Sequence, residues 1–141
     1  MDIIIKKKLT VAIVEGSLFS DGGFQGLKAA VMFFKDVFFV IPFRSTDMGG
    51  YDTKYNGDEI FEKATVMYNA QDYAGLYDYL IETIPEEFTF HIATLKVFRI
   101  KVGWGPFGAF QFKKGSDKGL KNNMNIPKKK DRQELKDFYN I

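Results

Sequence analysis

The most apolar run of the chain, Leu27–Phe43 (LKAAVMFFKDVFFVIPF), constrains the fold more than any other stretch. Lys35-Asp36 interrupts it near its middle. A membrane helix needs about 20 nearly uncharged residues, and a charge at its centre costs roughly 2.5–3.5 kcal/mol. Two adjacent charges, with Pro42 close behind, argue against a span. Two short strands fit better: Ala30–Phe34 and Val37–Phe43, joined by a tight turn at Lys35-Asp36. Val, Phe and Ile dominate both, as pleated and half-buried surfaces favour. Both faces of each strand are apolar. They are therefore expected in the middle of a sheet with something packed on either side.

The rest of the chain supplies partners for that hairpin. Leu9–Val14 reads as a first strand, with Lys6-Lys7-Lys8 in front as a solvated leader. Glu15–Gly26 is a glycine-rich loop in which Leu18 and Phe19 could extend the strand, and Arg44–Gly57 is a second such connection. At Asp58 the period becomes helical. Ile60, Phe61, Ala64, Met67 and Tyr68 recur behind the cap candidates Asn56 and Asp58, and Tyr73, Leu76, Tyr77, Leu80, Ile81 and Ile84 form a second stripe behind Asp72. Pro85 closes the second helix. After it the period returns to two, predicting strands at Phe88–Ala93, Leu95–Trp104, Ala109–Lys114 and Leu120–Ile126. Asp131–Tyr139 reads as a terminal helix. One domain over 1–141 is expected, with a helical insertion at 58–84 and a C-terminal helix at 130–140. The fold class is α+β: a mostly antiparallel sheet or partly open barrel of about seven short strands.

That order of elements resembles the pleckstrin-homology-like fold in its bacterial and GRAM-type versions. The resemblance rests on VMFFKDVFFVIPFRS, LKVFRIKVGWGPFGAFQF and the closing IPKKKDRQELKDFY. It implies a binding or adaptor module, with the helical pair as an insertion. Phosphoinositide-binding members carry lysines and arginines around the loop between the first two strands. Here Glu15–Gly26 has none and contains Glu15 and Asp21, so the resemblance implies no phosphoinositide headgroup at that site.

Chemistry-bearing motifs are sparse. Cysteine is absent, which removes disulfides, thiol nucleophiles and thiolate metal sites, and fits a cytoplasmic protein. The opening MDIIIKKKLTVAIVEG places its lysines after its isoleucines, the reverse of a secretory leader. His91 is the single histidine, so no metal is expected, and since GWGPFG is no dinucleotide fingerprint and GGFQG no phosphate loop, no cofactor is expected either. Ser17, Ser20, Ser45 and Ser116 lie outside any nucleophile elbow. Asp58, Glu59, Glu62, Asp78, Glu82, Glu86 and Glu87 fall outside the apolar stripes. A small metal-independent enzyme using carboxylates of the helical pair is the alternative to a binding module.

Charge offers the better lead. Residues 1–100 carry 10 basic and 14 acidic side chains, whereas residues 101–141 carry 10 basic and 4 acidic. Lys113, Lys114, Lys118, Lys121, Lys128, Lys129, Lys130 and Arg132 crowd into one stretch beside aromatic residues. The turn at Gly103–Gly108 carries Trp104 and Phe107 at a strand end, where glycines and Pro106 fix its shape. Loops on a rigid sheet often carry function, and tryptophan is enriched at binding hot spots. Trp104, Phe107, Lys113, Lys114, Lys128, Lys129, Lys130 and Arg132 are thus the candidate partner-binding residues. Trp104 also continues the Phe98–Ile100–Val102 face and could instead plug the core. The expected partner is another protein. A second copy of the chain, a nucleic acid or an anionic membrane are the other readings.

Overall fold

Both faces of the central hairpin are covered, each by a different layer. The computed structural model describes residues 2–15, 26–43 and 56–141. Strands β2 (Leu27–Phe34) and β3 (Val37–Pro42) pair antiparallel through Phe33↔Phe38 and Met32↔Phe39. All of β3 is buried, and so is β2 apart from Lys28. Around them run β1 (Ile3–Ala12), α1 (Gly57–Asn69), α2 (Tyr73–Thr83), β4 (Thr89–His91), β5 (Val97–Lys101), β6 (Ala109–Lys113), β7 (Asn122–Asn125) and α3 (Lys129–Tyr139). The strands form one open antiparallel sheet in the order β4-β3-β2-β1-β7-β6-β5. The architecture is α+β, with the helical pair after the third strand and a short closing helix.

The sheet curls until its two halves face each other. Phe38 of β3 lies 5.6 Å from Phe110 and 5.0 Å from Phe112 of β6, ring centre to ring centre. In the sheet, three strands separate β3 from β6. Phe33, Phe38, Phe90, Phe98, Phe110 and Phe112, six of the chain's 15 phenylalanines, fill the space between the halves. The opposite face of the hairpin meets the helical pair. Tyr77 sets its ring edge-on to Phe34 at 5.4 Å and Phe39 at 6.4 Å. Leu76, Leu80 and Ile84 are buried, so this part of the α2 stripe covers the core, while Ile81 is exposed.

Capping follows the sequence closely here. Asn56 accepts from the Glu59 amide at 3.1 Å, and Asp72 accepts from the Gly75 amide at 3.0 Å. Each satisfies a donor that the first helical turn cannot.

Four expectations need correction. The first strand includes the lysine run: β1 starts at Ile3, pairs Ile3–Lys6 with β2, and shifts register between Lys6 and Leu9. That irregularity lets Lys7 and Lys8 reach solvent from inside a strand. The segment after Pro85 keeps only Thr89–His91 as strand between single turns of 3-10 helix. Strand β5 stops at Lys101, short of Trp104. Finally, Leu120 is exposed because β7 begins only at Asn122, after Gly119 at φ +80°. The extension through Leu18 and Phe19 lies outside the described residues.

Helix α3 closes one end of the curl. Leu135 is buried, and Tyr139 packs on Phe33 and Phe98 while its hydroxyl donates to the Phe34 carbonyl at 2.8 Å. Burial pushes the Tyr139 phenol far above its ordinary range, so it stays a donor. Asp131 and Glu134 accept from Lys6 at 3.2 and 2.9 Å, tying the helix to the irregular part of β1.

Candidate functional site

The turn after β5 owes its shape to two glycines and one arginine. Gly103 sits at φ +60°, where a Cβ would lie 2.3 Å from the Phe107 carbonyl oxygen. The Phe107 amide donates to the Trp104 carbonyl at 3.0 Å, closing a tight turn over Gly105-Pro106. Reversing the chain here takes Trp104 off the Phe98–Ile100 face. It is 70% exposed and Phe107 is 66% exposed, with ring centres 5.0 Å apart. Trp104 is no core plug. Two large aromatic side chains share one protruding turn.

Arg132 holds that turn from below. Its side chain is buried, and its guanidinium donates to Val102 O at 2.6 Å, Gly105 O at 2.5 Å, Ile126 O at 2.7 Å and Pro127 O at 3.1 Å. The planar fork bridges the turn and the end of β7, which no single lysine could. Gly108 leaves room for it, since a Cβ there would fall 1.9 Å from Arg132 Nε. Lys136, one helical turn on, donates to Ile100 O at 3.2 Å. Four helical residues advance about 6 Å and two strand residues about 6.6 Å, so one helix face matches alternate carbonyls of the β5 edge. Edge groups that would otherwise invite another strand are thereby occupied.

The basic cluster separates into structural and free members. Arg132, grouped above with the partner-binding residues, is spent internally and offers nothing to a partner. Lys114 is half-buried: its ammonium donates to Glu86 O at 2.7 Å and lies 4.6 Å above the Phe90 ring centre. Burial lowers its pKa against the pull of Glu86, Glu15 and Glu87. Its backbone amide donates to Glu15, which also accepts from Gly115 and Asn122. Lys113 donates to the Lys118 carbonyl. Lys128, Lys129 and Lys130 are exposed at the start of α3.

The fold also gathers cations that their sequence positions did not single out. The β1–β7 register, Thr10↔Asn125 and Val11↔Met124, carries Lys8 towards Pro127. Lys101 ends β5 beside the turn. Lys7, Lys8 and Lys101 are exposed. Nearby Lys6 is not free. Burial depresses its ammonium, and the hydrogen bonds to Glu134 and Asp131 outweigh that, leaving its pKa above the ordinary value. Only the strand pairing could have revealed this neighbourhood, because Lys8 and Lys128 are far apart in the chain.

The carboxylates of the helical pair do not gather in this way. Asp58, Glu59, Glu62, Asp78 and Glu82 are exposed on the helical pair, and Glu59 pairs with Lys63 at 3.3 Å. A depression of about 400 Å³ between the hairpin turn and α2 is lined by Asp36, Tyr77 and Asp78. Asp36 accepts from the Tyr77 hydroxyl at 2.9 Å, and burial with that bond keeps the phenol protonated above its ordinary range. A second hollow of about 240 Å³ beside the turn presents Gln111, Asn123 and Asn125, and its charged group is the committed Arg132. His91 is half-buried in β4. Among the described residues no group of His, Asp or Glu is placed to hold a metal ion, and no helix is long and apolar enough to cross a membrane.

No family model, no curated protein and no solved structure matches the chain.

Proposed function

We propose that the chain is a non-catalytic binding module, pleckstrin-homology-like in plan, that acts in the cytoplasm and meets its partner through the Trp104–Phe107 turn. One observation carries the reading. The two most exposed aromatic side chains of the described residues share a turn that a buried arginine of α3 ties to the end of β7. Large exposed aromatics on a pre-shaped loop lose little conformational entropy on binding, which favours them as anchors. The strand order, the curl of the sheet and the closing helix support the pleckstrin-homology-like part, and the helical pair is its added layer. The carboxylates of the helical pair give the enzyme alternative less support, since they stand in water on the outer surface rather than converging on a reacting position.

The test is Trp104→Ala. As a surface anchor it shifts unfolding stability by less than about 1 kcal/mol. Capture from a cell extract fractionated into soluble protein, nucleic acid and membranes drops sharply in the fraction that holds the partner. Loss of stability by several kcal/mol, or unchanged capture from every fraction, contradicts the proposal.

A further inference from the structure

The surroundings of the turn carry the reading one step further, to the class of partner. From Val102 to Ala109 the chain is VGWGPFGA, without a single charge. It stands out from the sheet as an uncharged, aromatic-tipped projection. Around its base the fold collects lysines from three separate places. Arg132 binds Gly105 O and Pro127 O with one guanidinium, which fixes Lys128–Lys130 next to the turn. The β1–β7 register brings Lys7 and Lys8 to the same end of the sheet, and Lys101 leads directly into the turn. The two carboxylates closest to this group on α3, Asp131 and Glu134, are already engaged by Lys6.

We infer that the Trp104–Phe107 turn is an insertion tip for an anionic lipid bilayer, seated by Lys7, Lys8, Lys101 and Lys128–Lys130. The inference rests on the reading of this turn as the partner-facing site. Its chemistry matches the water–lipid boundary. Tryptophan and phenylalanine settle at the headgroup level with their apolar bodies towards the acyl chains, and lysines outside that level meet the phosphates and carboxylates of anionic lipids. The geometry favours a bilayer over single-stranded nucleic acid. Stacked bases need ring faces presented along a groove, whereas these two rings are inclined at 57° on a projecting turn. The arginine beside them, which could stack on a base, is buried.

The experiment mixes the full chain with vesicles of phosphatidylcholine alone or with added phosphatidylserine, and reads co-sedimentation together with the emission of Trp104, the only tryptophan. Binding is expected to the phosphatidylserine vesicles, with a blue shift of the emission, and to weaken steeply with salt. Lys128→Gln/Lys129→Gln/Lys130→Gln reduces partitioning by about two orders of magnitude at low salt. Trp104→Phe keeps it, and Trp104→Ala/Phe107→Ala lowers it about tenfold or more. Binding to anionic vesicles with unmoved Trp104 emission overturns insertion. Absence of vesicle binding, while Trp104→Ala still abolishes capture of a soluble protein or an oligonucleotide, overturns the bilayer and leaves the partner-facing turn standing. If Trp104→Ala alters no binding of any kind, both readings fall.

Discussion

Arg132→Met is expected to cost about 3–5 kcal/mol of stability, the largest loss from any single exposed-looking charge in the sequence. Four backbone carbonyls, at Val102, Gly105, Ile126 and Pro127, would lose a charged donor together. A hydrogen bond to a charged group contributes about 1.5–3 kcal/mol, and an unsatisfied buried acceptor adds a desolvation penalty of similar size. The sum of four such bonds overstates the loss, because Gly105 is exposed and its carbonyl can rehydrate. Arg132→Lys recovers little, since an ammonium is a compact charge without the planar fork. Urea unfolding reads the stability directly, and amide exchange at 102–108 shows whether the turn loosens first. A change within about 0.5 kcal/mol, the range of ordinary surface substitutions, would mean that the arginine braces nothing.

Phe38→Ala is expected to be equally damaging for an unrelated reason. The ring sits 5.8 Å from Phe33, 5.1 Å from Phe90, 6.2 Å from Phe98, 5.6 Å from Phe110 and 5.0 Å from Phe112. With Phe33 and Phe90 it joins the two halves of the curled sheet, meeting rings of β5 and β6. Truncating a buried phenylalanine removes transfer energy and leaves a cavity, together about 3–5 kcal/mol. Against a total of about 5–15 kcal/mol for a domain, that brings the fold close to its limit. Phe38→Leu keeps most of the volume and costs less. Phe107→Ala, the same change on the exposed turn, should stay within about 0.5 kcal/mol. If Phe38→Ala and Phe107→Ala prove equally mild by chemical denaturation, the sheet does not close on itself as described.

These two residues also show where a sequence is readable. Phe38 belongs to a run whose two apolar faces demanded covering on both sides, and the covers proved to be the facing half-sheet and the helical pair. A short apolar run without polar alternation carries that information, because both faces of such a strand must be buried. Asn56 and Asp72 were legible as caps for the same local reason. Arg132 was not. In the sequence it is one more cation behind three lysines, and its burial depends on carbonyls that only the folded turn and the end of β7 bring together. Trp104 fell between these cases. Its phase continued the Phe98–Ile100 face, but Gly103 at positive φ turned the chain before that phase could act. Lys7 and Lys8 looked like a leader because an irregular strand breaks the alternation on which recognition depends. Long-range pairing, which set the lysines of β1 beside those of α3, leaves no local mark at all.

The exposure of Trp104 on its turn can be read from its own fluorescence, because the chain has no other tryptophan. In the native, unliganded protein the emission should be water-like and readily quenched by acrylamide, with little further red shift on unfolding in urea. A blue, quencher-protected native emission that moves to the red only when the protein unfolds would place Trp104 in the core rather than on an exposed turn.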